Sequence, residues 1–210
     1  MTETTANIKA ANSNRLLQWL FNPFKFIAGF KALLLGLAVI LISGFVGSFS
    51  NTHFDGVLDV HTGLEAPMWF FLAEGVINWI CMVVPLFFLG LIVSRSSLRI
   101  IDVLGTQALA RWPYLISAVV MLPDANRRVT GYLMSTLTQN APAASIAPID
   151  ISIFVFAMIV VLLMVIWMVA LMYQAYAVSC NIKGAVAIAT FIVSLIGAEI
   201  LSKIAILLML

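Results

Sequence analysis

Long apolar runs separated by short polar stretches dominate the chain. A transmembrane helix needs about 20 mostly apolar residues to cross the hydrocarbon core of a bilayer. Five stretches reach this length and predict spans at about 31–49, 67–93, 100–122, 151–178 and 184–210. The pattern therefore predicts an all-α fold, a polytopic membrane helix bundle with five transmembrane helices.

The third stretch is the least apolar of the five. It contains Asp102, Gln107, Arg111 and Pro113. We keep it as a span because its length suffices and because an odd number of spans fits the distribution of positive charges. Pro113 is expected to kink it, since a proline removes one hydrogen bond of a helix.

Composition supports a membrane protein. Apolar residues make up 63% of the chain and charged residues 10%, whereas soluble domains average about half and a quarter. A soluble domain of this size leaves too much of its surface wet to hide so many apolar side chains. The net charge is only +2 and forms no basic block, so we expect no nucleic-acid partner. The two cysteines lie in or beside apolar runs and indicate no disulfide framework.

Positive charges predict the orientation, because short loops rich in Lys and Arg stay in the cytoplasm. The N-terminal segment has four of them when Lys31 at the start of the first span is included, and the connections after the second and fourth spans have two and one. The first connection, at 50–66, has none, and the third, at 123–150, has two. We therefore expect an N-in/C-out topology.

The segment before the first span divides into two parts. Residues 1–15 are polar and without periodicity, which predicts a disordered cytoplasmic tail. Residues 16–30 mix aromatic and basic residues, and begin a membrane domain of residues 16–210. This segment fits either an interfacial helix, broken at Asn22-Pro23, or a simple lead-in to the first span.

Four ionisable residues fall well inside the predicted spans, away from their ends, where a charge is costly and is a functional candidate. They are Glu74, Arg111, Glu199 and Lys203. Their depths overlap between the midplane and the outer face, so we expect Arg111 to approach Glu74, Glu199 or both. Either these charges neutralise one another and hold three helices together, or they line a cavity for a substrate, an ion or a proton.

A second polar cluster lies in the first connection. It consists of His53, Asp55, Asp59, His61 and Glu65. Imidazole and carboxylate groups together form a typical ligand set for zinc, so zinc is the one cofactor that the sequence suggests. The cluster also fits a solvated polar loop or proton-transfer chemistry.

Several features of the layout resemble a known family. They are an NPFKF segment (22–26), a third span that opens DVLGTQALARWPYLI (102–116), and a fourth span with Trp167 that ends through YQAY (173–176). In these the chain resembles bacterial members of the Yip family, whose eukaryotic relatives bind Ypt/Rab GTPases. The acidic motif of the eukaryotic members is only partly present, as Asp102 and Gly105 without its Tyr and Pro. The likeness is one of layout more than of diagnostic residues.

The resemblance implies a five-helix membrane domain that serves in membrane organisation or trafficking and has no established catalytic residue. A bacterial-type member would sit in the inner (plasma) membrane and would lack Rab partners. The expected partners are the lipid bilayer and either another membrane protein or a further copy of this chain.

Three functional classes remain open on the sequence. A non-enzymatic membrane protein is favoured, because the chain has no nucleotide-binding, GxSxG or HExxH motif. The alternatives are a small transporter or channel that uses the buried charges, and a metal-dependent membrane enzyme that uses the His/Asp loop.

Overall fold

The computed structural model describes residues 18–63, 65–94, 96–137 and 146–209. The tail predicted at 1–15 lies outside this part of the chain. The α-helices within it, numbered in chain order, are α1 (Gly29–Ser48), α2 (Met68–Val93), α3 (Ile100–Leu109), α4 (Pro113–Val120), α5 (Asp124–Leu137), α6 (Pro148–Ser179) and α7 (Gly184–Leu207). Two short strands, β1 (Thr52–His53) and β2 (His61–Thr62), pair between α1 and α2.

Four of the helices are long and apolar enough to cross a membrane. They are α1, α2, α6 and α7, with 20, 26, 32 and 24 residues. Their outward faces carry exposed Leu, Ile, Val and Phe side chains over most of their length. Apolar surface of this extent indicates contact with lipid. The prediction of a helical, multi-pass membrane protein is confirmed.

The third predicted span is not one helix. α3 and α4 are 10 and 8 residues long, and a turn separates them. Pro113 explains the break, because proline lacks an N–H and its ring clashes with the carbonyl four residues earlier. The amides of Arg111 and Trp112 bond instead to the carbonyls of Ala108 and Leu109, at 3.2 and 3.3 Å. The tighter turn therefore keeps its backbone hydrogen-bonded.

The broken pair runs beside α1 in the same direction. A Cβ atom added at Gly105 would lie 2.3 Å from the carbonyl oxygen of Gly29 at the start of α1. Further along, a Cβ added at Gly36 would lie 2.4 Å from the backbone of Ala108. Glycine is thus required where the two backbones approach this closely. α1 packs against both α3 and α4.

The remaining helices close the bundle. α2 runs antiparallel to α1, with Gly44 of α1 against Phe71 and Ile40 against Gly75. α7 packs on α2, and α6 packs on α3, α4 and α5. Fully buried apolar side chains from α2 and α6 fill the centre, among them Met82, Leu86, Met168, Leu171 and Met172.

The amphipathic helix α5 lies within residues 123–150, which the sequence predicts to be a connection. Its buried residues are Ala125, Asn126, Val129 and Thr130, and it packs on α6. Arg128 binds Asp150 at the start of α6 through two hydrogen bonds of 2.9 and 2.7 Å. This paired contact fixes α5 against one end of the bundle.

The segment before α1 packs on the bundle in its described part. Residues 18–21 are helical, and Pro23–Lys25 form a 3-10 turn. The rings of Trp19 and Phe26 stack at 4.9 Å, while Phe24 is buried. Asn22 donates a hydrogen bond of 3.2 Å to Gln174 of α6. The segment is therefore attached to the helices rather than free of them.

Candidate functional site

The connection between α1 and α2 folds back over one end of the bundle, and we call residues 50–62 the cap. Its strands pair antiparallel with His53 opposite His61. Phe54 and Val57, between the strands, are only 2% and 0% exposed. The cap is therefore part of the packed structure and not a solvated loop.

One turn of α2 binds the first half of the cap. Glu74, 1% exposed, lies 2.8 Å from Nδ1 of His53 through Oε1, and its Oε2 accepts a 3.3 Å hydrogen bond from the N–H of Phe54. Asn78, one helical turn further, donates its side-chain N–H to the carbonyl of Phe54. Residues four apart share a helix face, so both side chains reach the same stretch of the cap.

Two other helices bind the second half of the cap. The hydroxyl of Tyr114 in α4 donates a 2.7 Å hydrogen bond to the carbonyl of Val57. Glu199 in α7 accepts a 3.0 Å hydrogen bond from the N–H of Leu58. A Cβ atom at Gly56 would lie 2.4 Å from Oε1 of Glu199, so glycine allows the close approach. Side chains of α2, α4 and α7 thus hold the backbone of the cap.

A charged cluster joins the cap to α7. Nζ of Lys203 lies 2.5 Å from Asp59, 3.8 Å from Asp55 and 4.0 Å from Glu199. Nδ1 of His61 lies 3.1 Å from Asp55. Partial burial alone would raise the pKa of Asp55, but the hydrogen bond to His61 and the charges of His61 and Lys203 outweigh that effect and hold the pKa below its ordinary value. The cluster is an ion network in which Asp55 is held as a carboxylate.

Three of the five predicted metal ligands converge. One potential ligand atom from each of Asp55, Asp59 and His61 lies within 4.8 Å of the others. The ammonium of Lys203 lies 2.5 Å from Asp59 and 3.8 Å from Asp55, so its positive charge is next to both carboxylates. These three side chains have the chemistry of a zinc ligand set, but the ammonium competes for it.

The other two predicted ligands lie elsewhere. Glu65 is exposed and is not among the converging groups. Nδ1 of His53 is bound to Glu74, although its ring stacks on that of His61 at 5.2 Å. The five residues therefore do not form one ligand sphere.

Arg111, in the turn between α3 and α4, is the most deeply buried charged side chain after Glu74 among those described, at 2% exposure. Its Nη2 donates a 2.8 Å hydrogen bond to the carbonyl of Asn78. Within the described residues, Nε and Nη1 have no hydrogen-bond partner on the protein. Arg111 lines a cavity of about 10 Å³, which is room for about one water molecule. In the same part of the chain Arg111 forms no ion pair with Glu74 or Glu199, although the charge of Glu199 acts on its guanidinium.

The structure thus divides the four charges predicted inside the spans between different partners, and only Glu74 and Arg111 are buried, whereas Glu199 is partly buried and Lys203 is exposed. Glu74 and Glu199 bind the cap, Lys203 binds acids of the cap, and Arg111 binds α2. Sequence reasoning missed Asn78, although its position four residues after Glu74 is the signal that could have found it.

Comparison with family models, curated proteins and solved structures finds no match to this chain. It therefore gives no support to the resemblance to the Yip family, which stays a prediction.

Proposed function

We propose that the chain is a non-enzymatic membrane protein of five crossings, N-in and C-out, that serves in membrane organisation or trafficking as a closed helical scaffold. Its partners are the bilayer and other membrane proteins, including further copies. One observation carries the proposal: the acids and the lysine within the helices bind the cap instead of facing an open passage.

The fifth crossing is supported by the length and placement of α3 and α4. A straight helix from Ile100 to Val120 would extend about 30 Å at 1.5 Å per residue, which is the thickness of the hydrocarbon core, and the turn between α3 and α4 makes the pair no longer than that. Non-helical backbone at membrane depth is tolerated where protein covers it. Ala110, Arg111 and Pro113 in the break are all buried, which meets that condition.

The small size of the interior cavity supports a scaffold function more than a transport function. The cavity beside Arg111 is about 10 Å³, while two larger cavities of about 290 and 300 Å³ lie at the edge, beside the cap and α5. Glu74 and Glu199 already accept hydrogen bonds from backbone N–H groups of the cap. Lys203 is already paired with Asp59 of the cap. A polar side chain engaged in this way stabilises the fold and is not poised to exchange ligands.

Ion leakage through liposomes tests the proposal. Purified protein is reconstituted, and the decay of a proton gradient and of a potassium gradient is measured against protein-free liposomes. We expect equal decay for the wild type, for Glu199→Gln and for the exposed control Glu65→Gln. A wild-type flux above background that Glu199→Gln removes would contradict the scaffold.

A small transporter or channel is the second candidate, and Arg111 favours it. A buried guanidinium with two nitrogen atoms that no described residue binds is the kind of group that an anion pathway uses. In the same assay, performed with a chloride gradient, this alternative requires a flux that Arg111→Met abolishes and Arg127→Met leaves intact.

A further inference from the structure

Two cavities adjoin at the cap end of the bundle, between the cap, α5 and α6. One has a volume of about 290 Å³ and the other about 300 Å³, at the small end of the range for ligand pockets. They share Thr62, Thr130 and Met134 in their walls, and the hydroxyls of the two threonines lie 2.9 Å apart. We call the first the apolar chamber and the second the polar chamber.

The apolar chamber is lined mainly by apolar side chains. α5 contributes Leu133 and Leu137, and α6 contributes Phe154, Met158 and Val161. Along α6, a membrane-spanning helix that begins at Pro148, residues 154 to 161 lie about 9–20 Å from its start. A chamber beside a membrane-spanning helix with such a lining suits an acyl chain.

The polar chamber presents two opposite charges. Arg127 and Glu65 line it together with backbone and hydroxyl groups. Arg127 is half exposed and contacts Asp124 through Nη2, while a guanidinium has five N–H donors in all. Its remaining donors can bind a phosphate through two parallel hydrogen bonds. The exposed carboxylate of Glu65 suits a primary ammonium group.

We propose that the two chambers together bind one phosphatidylethanolamine molecule. An acyl chain occupies the apolar chamber, the phosphate binds Arg127 and the primary ammonium binds Glu65. Phosphatidylglycerol offers Glu65 no cation, and the quaternary ammonium of phosphatidylcholine has no N–H to donate, so both bind more weakly. This inference depends on the protein lying in a membrane. It does not depend on the proposed function as a scaffold.

Two glycines provide matched blocking and control variants. Gly131 lies in the wall of the polar chamber, and a Cβ added there meets no atom within 4 Å. Gly197 on α7 is equally open and lines neither chamber. Gly131→Phe therefore places a ring in the chamber, while Gly197→Phe adds the same ring elsewhere.

Native mass spectrometry of the detergent-solubilised protein tests the inference. The protein is titrated with phosphatidylethanolamine, phosphatidylglycerol and phosphatidylcholine that carry identical acyl chains. We expect phosphatidylethanolamine to bind most tightly, with one molecule per chain. Arg127→Gln and Glu65→Gln should each weaken it about tenfold or more, because a hydrogen bond to a charged group is lost. Gly131→Phe should abolish binding, and Gly197→Phe should leave it unchanged.

Several results would overturn the inference. They are equal binding of the three lipids, full binding to Gly131→Phe, or a protein dimer that Gly131→Phe dissociates, which would assign the cleft to a second copy. Melting temperatures identify a misfolded Gly131→Phe, and in that case the two exposed charge variants decide the result. The liposome leakage assay is independent of this outcome.

Discussion

A buried carboxylate in a membrane helix is costly unless its oxygens are bound, and Glu74 has both oxygens bound by the cap. Glu74→Ala leaves the imidazole of His53 and the N–H of Phe54 buried without this partner. We expect the free energy of unfolding to fall by about 3–5 kcal/mol, as when one member of a buried pair is removed. Thermal unfolding in detergent measures the change.

The exposed Glu65→Ala is the control for this variant and should unfold like the wild type. If Glu74→Ala and Glu65→Ala have equal melting temperatures, Glu74 does not hold the cap.

Arg111 differs from Glu74, because no carboxylate is bound to its buried charge among the described residues. Arg111→Met keeps much of the volume and removes the cost of burying the charge. We expect the variant to be at least as stable as the wild type by thermal unfolding, with Arg127→Met as the exposed control. A loss of about 3–5 kcal/mol would instead reveal a counterion for Arg111 and restore the ion pair that the sequence predicts.

The charge of Lys203 governs any metal at the cap, since its Nζ lies against Asp59 and Asp55. Lys203→Gln removes a cation that competes for the same carboxylates, and we expect zinc affinity to rise about tenfold or more. Zinc titration against a fluorescent chelator measures it. The control is Lys183→Gln, which removes the same charge at the start of α7. Equal affinities for the two variants would mean that Asp55, Asp59 and His61 are not a latent ligand set.

The pairings of these residues could be predicted only in part. The sequence identifies the charged residues, because ionisable groups stand out in apolar runs. It could not identify their partners, since that depends on the cap folding inward. The burial of Phe54 and Val57 draws the backbone of the cap to Glu74, Tyr114 and Glu199.

At the scale of elements, the crossing of α1 and α3 depends on glycine. Gly105→Leu places a side chain against the carbonyl oxygen of Gly29, 2.3 Å from the new Cβ. Because the obstacle is backbone, we expect a loss of at least about 1–3 kcal/mol, the usual cost of overpacking. Gly197→Leu, which meets nothing within 4 Å, is the control in the same thermal unfolding experiment. Equal stability of the two variants would exclude the close crossing.

The four long helices follow from the sequence to within a few residues, because the thickness of the bilayer sets the length of an apolar run. The break between α3 and α4 is foreshadowed by Pro113, but its extent is not. α5 was missed although Ala125, Val129, Leu133 and Leu137 recur every four residues, the spacing of a helix face. Its polar remainder concealed that pattern from a search for long apolar runs.

At the scale of the whole molecule, our proposal requires that α3 and α4 together form a fifth crossing. Four crossings would return the chain to the side on which it began, whereas five place its two ends on opposite sides. The placement of α3 and α4 beside α1, in the same direction, supports five.

Reporter fusions that are active on only one side of the membrane test this claim most directly. A reporter after Leu210 is compared with one at Ser96 and one at the N-terminus. With five crossings, we expect the Ser96 and N-terminal fusions to be cytoplasmic and the fusion after Leu210 to be exported. A cytoplasmic fusion after Leu210, together with a cytoplasmic Ser96, would contradict the proposal, because α3 and α4 would then not cross.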